Sequence, residues 1–167
     1  MKILWSPWRS KYIESFSDEG NNNSCFVCDA IEKKEEAKER LVVFRSEHSI
    51  VLMNKFPYNA GHLLVCPLKH ISTMDELNEI ELLDFIKVVR KSINVLDEAM
   101  APHGFNVGIN IGRVAGAGLP EHIHFHIIPR WNGDTSFISL IADTKVISQS
   151  MVEIYDKVYE IFNRKDK

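Results

Sequence analysis

Features that would direct this chain to a membrane or to nucleic acid are missing from its sequence. No apolar run approaches the roughly 20 residues that a membrane-spanning helix needs. The N-terminal stretch up to Arg9 contains no apolar signal core. The net charge is −3, so there is no general basic field that would attract nucleic acid. We therefore expect a cytoplasmic protein without membrane or nucleic-acid partners.

Cysteine is also scarce, and the odd total of three excludes a framework of paired disulfides. Cys25 and Cys28 form a Cys-x-x-Cys pair, whereas Cys66 lies apart in sequence. In a cytosolic protein such a pair is half of a zinc site or a redox pair, and two unrelated structural cysteines are the third interpretation. The redox form is typical of a βαβ context, with a strand before the pair. A polar loop precedes this pair, so the sequence favours zinc.

The most informative stretch is a run in which three of the seven histidines alternate with apolar residues. His122, His124 and His126 recur every second residue, which predicts a β-strand with one imidazole face and one hydrocarbon face. The paired part of this strand should end near Pro129, which has no N–H group. The pattern disfavours a merely solvated polar face, and it leaves open a transition-metal site and nucleophilic or acid–base chemistry. A mixture, with one histidine on a metal and the others in chemistry, is the remaining alternative.

The rest of the chain predicts a mixture of strands and helices without an internal repeat or a domain boundary. Apolar β-branched runs predict strands, and apolar positions every three or four residues predict helices. Besides the histidine strand, the predicted strands are 41–44, 49–53, 62–67, 105–111 and 137–141, and the predicted helices are 31–40, 72–100 and 151–162. The N-terminal segment carries Trp5, Trp8 and Tyr12, which we expect to pack against the domain or a second subunit.

The long helix has the clearest apolar pattern. Ser72 with Asp75, or Thr73 with Glu76, has the spacing of an N-terminal capping box. We therefore expect the helix to begin near residue 72 and to end before Pro102. The apolar positions predict one buried stripe, formed by Leu77, Ile80, Leu83, Ile86, Val89, Ile93, Leu96 and Met100.

The strand before the histidines carries small and polar residues on one face. Asn106, Gly108 and Asn110 alternate with apolar side chains. An antiparallel hairpin through the glycine-rich turn at 112–118 would set this face beside the imidazoles. The turn either only reverses the chain or offers backbone N–H groups to a phosphate.

These motifs together resemble the histidine-triad (HIT) family. The run His-Ile-His-Phe-His-Ile-Ile at 122–128 is similar to the family signature of three histidines separated by hydrophobic residues. His62 opening a strand, His70 ahead of a helix and the glycine-rich turn agree with the wider pattern. Within the family, the flanking stretches resemble the bacterial diadenosine tetraphosphate phosphorylases, and these stretches are 5–12, 102–110 and 129–134.

The resemblance implies an α+β fold with a HIT-like antiparallel sheet of about five strands, one long helix and one or two shorter helices. It implies a single domain over residues 1–167. An N-terminal arm would occupy 1–24, a HIT core 25–140, and a C-terminal extension with a helix 141–167. The implied assembly is a homodimer whose sheets continue across the interface.

The implied reaction is nucleotidyl transfer through a covalent nucleotidyl-histidine. His124 matches the nucleophile that attacks the α-phosphate of a nucleotide, here a dinucleoside polyphosphate, and His126 matches its catalytic neighbour. Water or inorganic phosphate then accepts the nucleotidyl group. The residues that match the family's substrate-binding positions are His62, Asn54, Asn110, Gly116 and Gly118.

The resemblance also completes the metal hypothesis. In some relatives a Cys-x-x-Cys pair binds zinc together with a histidine before the long helix and the first triad histidine. The matching residues are Cys25, Cys28, His70 and His122, whose two thiolates and two imidazoles suit a closed structural site. His122 would then be a ligand, unavailable for chemistry. No organic cofactor is expected.

One departure from the family pattern concerns the turn just before the triad. Many relatives carry a serine or glutamine there, whereas Glu121 is the only polar side chain between residues 116 and 121. The alternatives are therefore a HIT-type hydrolase, a nucleotide-binding module with little turnover, and a metal-dependent hydrolase that uses all three triad histidines. Arg113 and Arg130 are candidates for a second phosphate site, with an exposed salt bridge as the alternative for each.

Overall fold

The computed structural model describes residues 25–134 and 149–164, and these ranges form an antiparallel sheet of five strands and three α-helices. The strands are β1 (Val42–Arg45), β2 (Ser49–Met53), β3 (Leu63–Pro67), β4 (Gly104–Ile109) and β5 (Phe125–Arg130), and the helices are α1 (Phe26–Glu32), α2 (Glu79–Met100) and α3 (Met151–Asn163). The spatial order is β1-β2-β3-β5-β4, so β5 is inserted between β3 and β4. This architecture confirms the predicted α+β class.

The position of β5 inside the sheet brings the small-residue face beside the last triad histidine. His126 lies opposite Leu64 of β3 on one side and Gly108 of β4 on the other. The predicted β4–β5 hairpin is therefore confirmed. Because Gly108 has no side chain, β4 leaves open space next to the imidazole of His126.

The two longer helices cover one face of the sheet and form the main hydrophobic core with it. Val51, Val65 and Ile127 point to this face and pack in one cluster with Phe85 of α2 and Phe162 of α3. All five side chains are buried. Full burial of such a side chain contributes roughly 1.5–3 kcal/mol, so this layer holds the helices on the sheet.

The short helix α1 packs on the opposite face. Its buried residues Val27 and Ala30 contact a second apolar cluster that includes Ile50 of β2 and Cys66 of β3. Side chains alternate along a strand, so the face that carries Cys66 and Leu64 on β3 also carries His126 on β5. Helix α1, which contains Cys28 and is preceded by Cys25, therefore shares one face of the sheet with His126.

The position of α1 differs from the prediction. The charged run at 31–40 predicted a helix, whereas α1 spans Phe26–Glu32 and Lys34–Glu36 form a separate 3-10 turn. Burial of Val27 and Ala30 fixes the helix ahead of the charged run, because packing of an apolar face contributes more to a short helix than propensity does. Cys25 is the N-cap residue.

The start of the long helix was also predicted wrongly. Ser72 and Thr73 precede a separate 3-10 turn, Met74–Glu76. The cap of α2 is Asn78, whose Oδ1 accepts two backbone N–H groups at 3.0 Å. The carboxylate of Glu81 accepts the backbone N–H of Asn78 at 2.9 Å, which closes the capping box. The capping box formed by Asn78 and Glu81 satisfies three backbone N–H groups at the helix N-terminus, so it determines where the first turn begins.

The predicted buried stripe of α2 is only partly confirmed: Val89 and Leu96 are buried, and Ile93 and Met100 pack against the core, but the first part of the stripe faces outward. Ile80, Leu83 and Ile86 are 70%, 54% and 45% exposed. Helix α2 therefore has two apolar faces, and spacing alone does not tell which one packs on the sheet. The residues that are buried are Phe85, Val88, Val89, Ser92, Val95, Leu96 and Ala99.

The C-terminal helix predicted at 151–162 is confirmed by α3. The aromatic residues of the N-terminal arm and the strand predicted at 137–141 lie outside the described residues. Among the residues that are described, no helix has both the length and the apolar character that crossing a bilayer would require.

Gly61, in the loop between β2 and β3, occupies a position that favours glycine strongly. Its φ is +73°, and a Cβ atom added there would lie 2.5 Å from Sδ of Met100. We expect Gly61→Ala to lower the free energy of unfolding by roughly 1–3 kcal/mol, the usual cost of a strained backbone conformation, because Met100 must also move. Chemical denaturation measures this loss.

Gly104→Ala is the matched control, because Gly104 has no left-handed φ and open space where its Cβ would stand. Its free energy of unfolding should change by at most about 0.5 kcal/mol. Equal losses in the two variants would contradict the argument from backbone conformation.

Candidate active site

The three triad histidines do not all lie on the strand that their alternation predicted. Strand β5 begins at Phe125, so the first two histidines precede it and only His126 is paired in the sheet. The register of β3 and β5 would set Ile123 opposite Pro67, which has no N–H for a ladder. The N–H of Ile123 donates instead to the carbonyl of Ile71 at 2.7 Å. The chain therefore leaves the sheet where the first two histidines stand.

His124 is held by the backbone of the residue two positions before it. Its Nδ1 lies 2.8 Å from the carbonyl oxygen of His122. A carbonyl only accepts hydrogen bonds, so Nδ1 carries the proton and Nε2 has the lone pair of a neutral imidazole. Burial lowers the pKa of His124 below its ordinary value, which keeps the ring neutral at pH 7. This is the protonation state that a nucleophile needs.

His126 and His62 form a hydrogen-bonded pair beside His124. Nε2 of His62 lies 2.9 Å from Nδ1 of His126, and the ring centroids of His124 and His126 are 4.9 Å apart. His62 is completely buried. Its Nδ1 lies 3.1 Å from the backbone nitrogen of Tyr58 and 3.2 Å from Nδ2 of Asn54. Three of the predicted site residues, His62, Asn54 and His126, are thus in one connected group.

Tyr58 completes this part of the site, and the sequence interpretation did not include it. Its ring stacks on His62 at a centroid distance of 4.9 Å and lies 5.9 Å from His126. An aromatic residue in a short loop that ends at a site histidine is the signal that would have identified it. The loop between β2 and β3 therefore supplies both a side chain and a backbone N–H to the histidine pair.

The glycine-rich turn between β4 and β5 bonds largely to itself. The N–H of Gly116 donates to the carbonyl of Arg113 at 2.9 Å, and Nδ2 of Asn110 lies 3.4 Å from the carbonyl of Gly116. The φ of Gly116 is +91°, so the turn depends on glycine there. Phosphate contact by Asn110, Gly116 and Gly118 stays a prediction, and the N–H of Gly116 would first have to leave Arg113.

The two arginines considered for a second phosphate site are both paired. Nε and Nη2 of Arg130 lie 2.6 and 2.8 Å from the carboxylate of Asp134, and Nη1 lies 2.7 Å from Oδ1 of Asn106. Arg113 forms an exposed pair with Glu121 at 3.4 Å. All three nitrogens of the Arg130 guanidinium donate hydrogen bonds within the protein, which favours the salt-bridge alternative for that residue.

The residues of the metal hypothesis come together at the other end of the triad. The ligand atoms of Cys25, Cys28, His70 and His122 all lie within 4.8 Å of one another. Nδ1 of His122 is 3.3 Å from Sγ of Cys25, and Nδ1 of His70 is 3.2 Å from Sγ of Cys28. Two sulfur and two nitrogen donors suit zinc, which is tetrahedral in structural sites. The donor set therefore fits the metal.

The second nitrogen of His122 has the partner that metal-binding histidines usually have. Nε2 donates to the carbonyl of Pro67 at 2.9 Å, so Nδ1 keeps its lone pair and faces the thiols. Burial, followed by the hydrogen bond and charge of Cys25, raises the pKa of Cys28 to about 11. A bound cation would offset this cost, since metal binding displaces the thiol proton. Cys66 is buried under α1 and is not part of the cluster.

Comparison with known proteins agrees with this geometry. The sequence model of the HIT domain family matches residues 35–133 of this chain. The AP-4-A phosphorylase of Mycobacterium tuberculosis is 38% identical over 152 residues, which cover 89% of this chain and 78% of that protein. The asymmetrical bis(5'-nucleosyl)-tetraphosphatase of Schizosaccharomyces pombe is 35% identical over 100 residues, 60% of this chain and 54% of that protein.

A solved structure has the same fold. The Zn-bound histidine triad family protein of Mycobacterium smegmatis superposes with a TM-score of 0.66 at 23% identity, over 83% of this chain and 93% of that one. The match to the HIT domain and the identity to the phosphorylase define the class of protein. The chain belongs to the HIT family.

Proposed function

We propose that this protein cleaves dinucleoside polyphosphates by transferring a nucleotidyl group to His124 and then to inorganic phosphate. The observation that carries the proposal is the 2.8 Å hydrogen bond from Nδ1 of His124 to the carbonyl of His122. It fixes the ring and leaves the lone pair on Nε2. The similarity to AP-4-A phosphorylase over 89% of the chain supports the choice of substrate.

In the first step, the lone pair of His124 Nε2 attacks the α-phosphorus of the substrate. A P–N bond forms while the bond from phosphorus to the bridging oxygen breaks, and the electron pair leaves with the nucleoside polyphosphate. As charge develops on nitrogen, the proton on Nδ1 remains hydrogen bonded to the carbonyl of His122. Splitting the displacement in this way replaces one difficult step by two easier ones.

In the second step, an oxygen of inorganic phosphate attacks the same phosphorus from the opposite side. The P–N bond breaks, and its electron pair returns to Nε2 of His124. With diadenosine tetraphosphate as substrate, the first step releases ATP and the second releases ADP. Water could replace phosphate, in which case the second product is AMP.

The experiment is a product analysis of diadenosine tetraphosphate with and without millimolar phosphate. We expect ADP plus ATP, formed at a rate that depends on phosphate. AMP plus ATP at a phosphate-independent rate would assign the protein to the hydrolases and leave His124 as nucleophile. Tight nucleotide binding without any product would favour a binding module with little turnover.

His124→Ala should abolish product formation, and His48→Ala is the matched control. His48 lies in the turn between β1 and β2, outside the histidine group, so that variant should keep its rate. Undiminished activity in His124→Ala would reject nucleotidyl transfer through this residue.

We also propose that Cys25, Cys28, His70 and His122 hold a structural zinc ion. Support comes from the four ligand atoms lying within 4.8 Å and from the hydrogen bond that leaves Nδ1 of His122 available. When bound, the ion would supply a cross-link between α1 and the segment before β5. With two cysteine and two histidine ligands the site would be closed, which argues against the metal-dependent hydrolase alternative.

The zinc proposal predicts about one zinc per chain in purified protein, measured by plasma mass spectrometry. Cys28→Ala should lower the bound zinc to background, because it removes a thiolate that a closed site needs. Cys66→Ala is the control, since Cys66 is buried outside the cluster and its loss should leave the zinc content unchanged. Full zinc content in Cys28→Ala would refute the ligand assignment.

We propose further that the protein is a homodimer. The outer face of α2 exposes Ile80, Leu83 and Ile86, as described above. At the outer edge of the described sheet, β4 exposes 43% of Val107, and Ile111 just beyond it is 50% exposed. An open strand edge and an apolar helix face are surfaces that soluble proteins usually cover. Two-fold dimers are the commonest way to cover them.

Sedimentation at micromolar concentration should therefore give a dimer. The double variant Ile86→Glu and Val107→Glu should sediment as a monomer, because it would place a charge in each half of the interface. Val152→Glu is the control, since Val152 is also exposed but lies on α3. A wild-type monomer, or a dimer that survives the double substitution, would contradict this assignment of the interface.

A further inference from the structure

His62 forms hydrogen bonds to the loop between β2 and β3 through one ring nitrogen and to His126 through the other. Its Nδ1 faces Tyr58 and Asn54, and its Nε2 faces His126 at 2.9 Å. Both ring nitrogens are therefore engaged within the protein, and the ring is completely buried. This arrangement suits a residue that acts through a neighbour better than one that touches a phosphate.

The direction of the hydrogen bonds through His62 follows from its backbone partner. The N–H of Tyr58 can only donate, and it lies 3.1 Å from Nδ1 of His62. Nδ1 must therefore accept, so it carries no proton. A neutral imidazole has one N–H group, which places the proton of His62 on Nε2.

Asn54 reinforces this direction, and the orientation of its amide is also determined by a backbone donor. The N–H of Phe56 lies 2.9 Å from Oδ1 of Asn54, so the oxygen is assigned correctly. The other amide atom, Nδ2, is then the one that lies 3.2 Å from Nδ1 of His62. An amide nitrogen donates, so Nδ1 of His62 receives two hydrogen bonds.

The hydrogen bond from His62 determines the proton position of His126 in the same way. Nε2 of His62 carries a proton and donates to Nδ1 of His126. Nδ1 of His126 therefore accepts, and a neutral His126 carries its own proton on Nε2. The position of the proton on His126 is thus determined two hydrogen bonds away from it, by donors in the loop between β2 and β3.

We propose that Asn54 is a positioning residue that, together with the backbone N–H of Tyr58, sets the direction of the hydrogen bonds through His62 to His126, so that neutral His126 presents an N–H to the substrate. The proposal rests on the nucleotidyl transfer proposed above. It gives Asn54 a role different from the substrate contact that the family resemblance implied. It also makes His62 a positioning residue that acts through His126.

The chemical consequence concerns the departing oxygen. The turn before the triad has no serine or glutamine that could donate to the leaving group. The rings of His124 and His126 are 4.9 Å apart, so a donor on His126 lies next to the phosphorus that His124 would attack. An oriented donor stabilises the charge that develops as the P–O bond breaks. A lone pair at the same position would repel it.

A carboxylate at position 54 is the informative change. Asn54→Asp keeps the shape of the side chain but replaces the donor Nδ2 by an acceptor. The carboxylate favours a proton on Nδ1 of His62 and outweighs the N–H of Tyr58, because a hydrogen bond to a charged acceptor is roughly twice as strong as a neutral one. The hydrogen bond between His62 and a neutral His126 then reverses, and His126 keeps its lone pair on Nε2. Asn54→Ala is the matched control, because it removes the side-chain contacts and keeps the N–H of Tyr58, which holds the original direction.

The first measurement needs no substrate. Two-bond proton–nitrogen correlation spectra of 15N-labelled protein distinguish protonated from unprotonated ring nitrogens. We expect unprotonated Nδ1 in both His62 and His126 of the wild-type protein and of Asn54→Ala. In Asn54→Asp we expect a proton on Nδ1 of His62. A wild-type spectrum with the proton of His126 on Nδ1 overturns the proposal, whether or not the variants fold.

The second measurement separates positioning from substrate contact. Loss of one oriented donor lowers kcat roughly 10²-fold or more, so Asn54→Asp should show that decrease. Asn54→Ala should keep kcat within roughly tenfold, the effect of one neutral hydrogen bond. Equal changes in the two variants, or changes confined to KM, overturn the positioning role. The ring spectra are recorded without substrate, so they test the hydrogen-bond direction whatever the substrate is. Failure of the positioning role is therefore distinguishable from failure of the proposed function.

Discussion

The site depends on one hydrogen bond, from Nδ1 of His124 to the carbonyl of His122. In a regular antiparallel ladder, backbone carbonyls pair with the neighbouring strands. Here the chain leaves the ladder before Phe125, because the residue opposite Ile123 would be Pro67. The carbonyl of His122 can then accept from a side chain of its own segment. A proline in the neighbouring strand thus contributes to the orientation of His124.

His122 connects two parts of the molecule that are separate in sequence. Its side chain lies between the cysteines and the carbonyl of Pro67, and its backbone carbonyl holds His124. Burial lowers the pKa of His122 to about 4, so its ring is neutral and its Nδ1 can act as a ligand. A shift of the cysteine cluster would move His122, and the carbonyl of His122 would then move the ring of His124. The cluster therefore belongs to the architecture of the site although its atoms take no part in the proposed chemistry.

The sequence was sufficient for the parts of the structure that depend on local chemistry. The alternation of histidines, the Cys-x-x-Cys pair and the Asn/Gly face of β4 indicated chemical groups of the site, whereas the resemblance to the HIT family implied that Asn54, His62 and His70 belong with them. The errors occurred where distant residues decide the outcome. Asn78 and Glu81 close a better capping box than Ser72 or Thr73 does, and Ile80 faces outward because Phe85 and its neighbours occupy the sheet. Spacing within one segment contains no information about such competition.

The polarity of the site comes from oriented neutral groups rather than from a cluster of cations. Among the described residues, the guanidinium of Arg130 is bound by Asp134 and Asn106, and that of Arg113 is paired with Glu121. The chain itself has a net charge of −3. Within the part of the chain that the structure describes, the groups beside the histidines that can stabilise a polyphosphate are therefore largely N–H dipoles. Such dipoles are effective where water is excluded, because the low dielectric strengthens each interaction and no reorganisation is needed as charge develops. This explains in physical terms why buried, neutral imidazoles with defined protons suit a substrate of high negative charge.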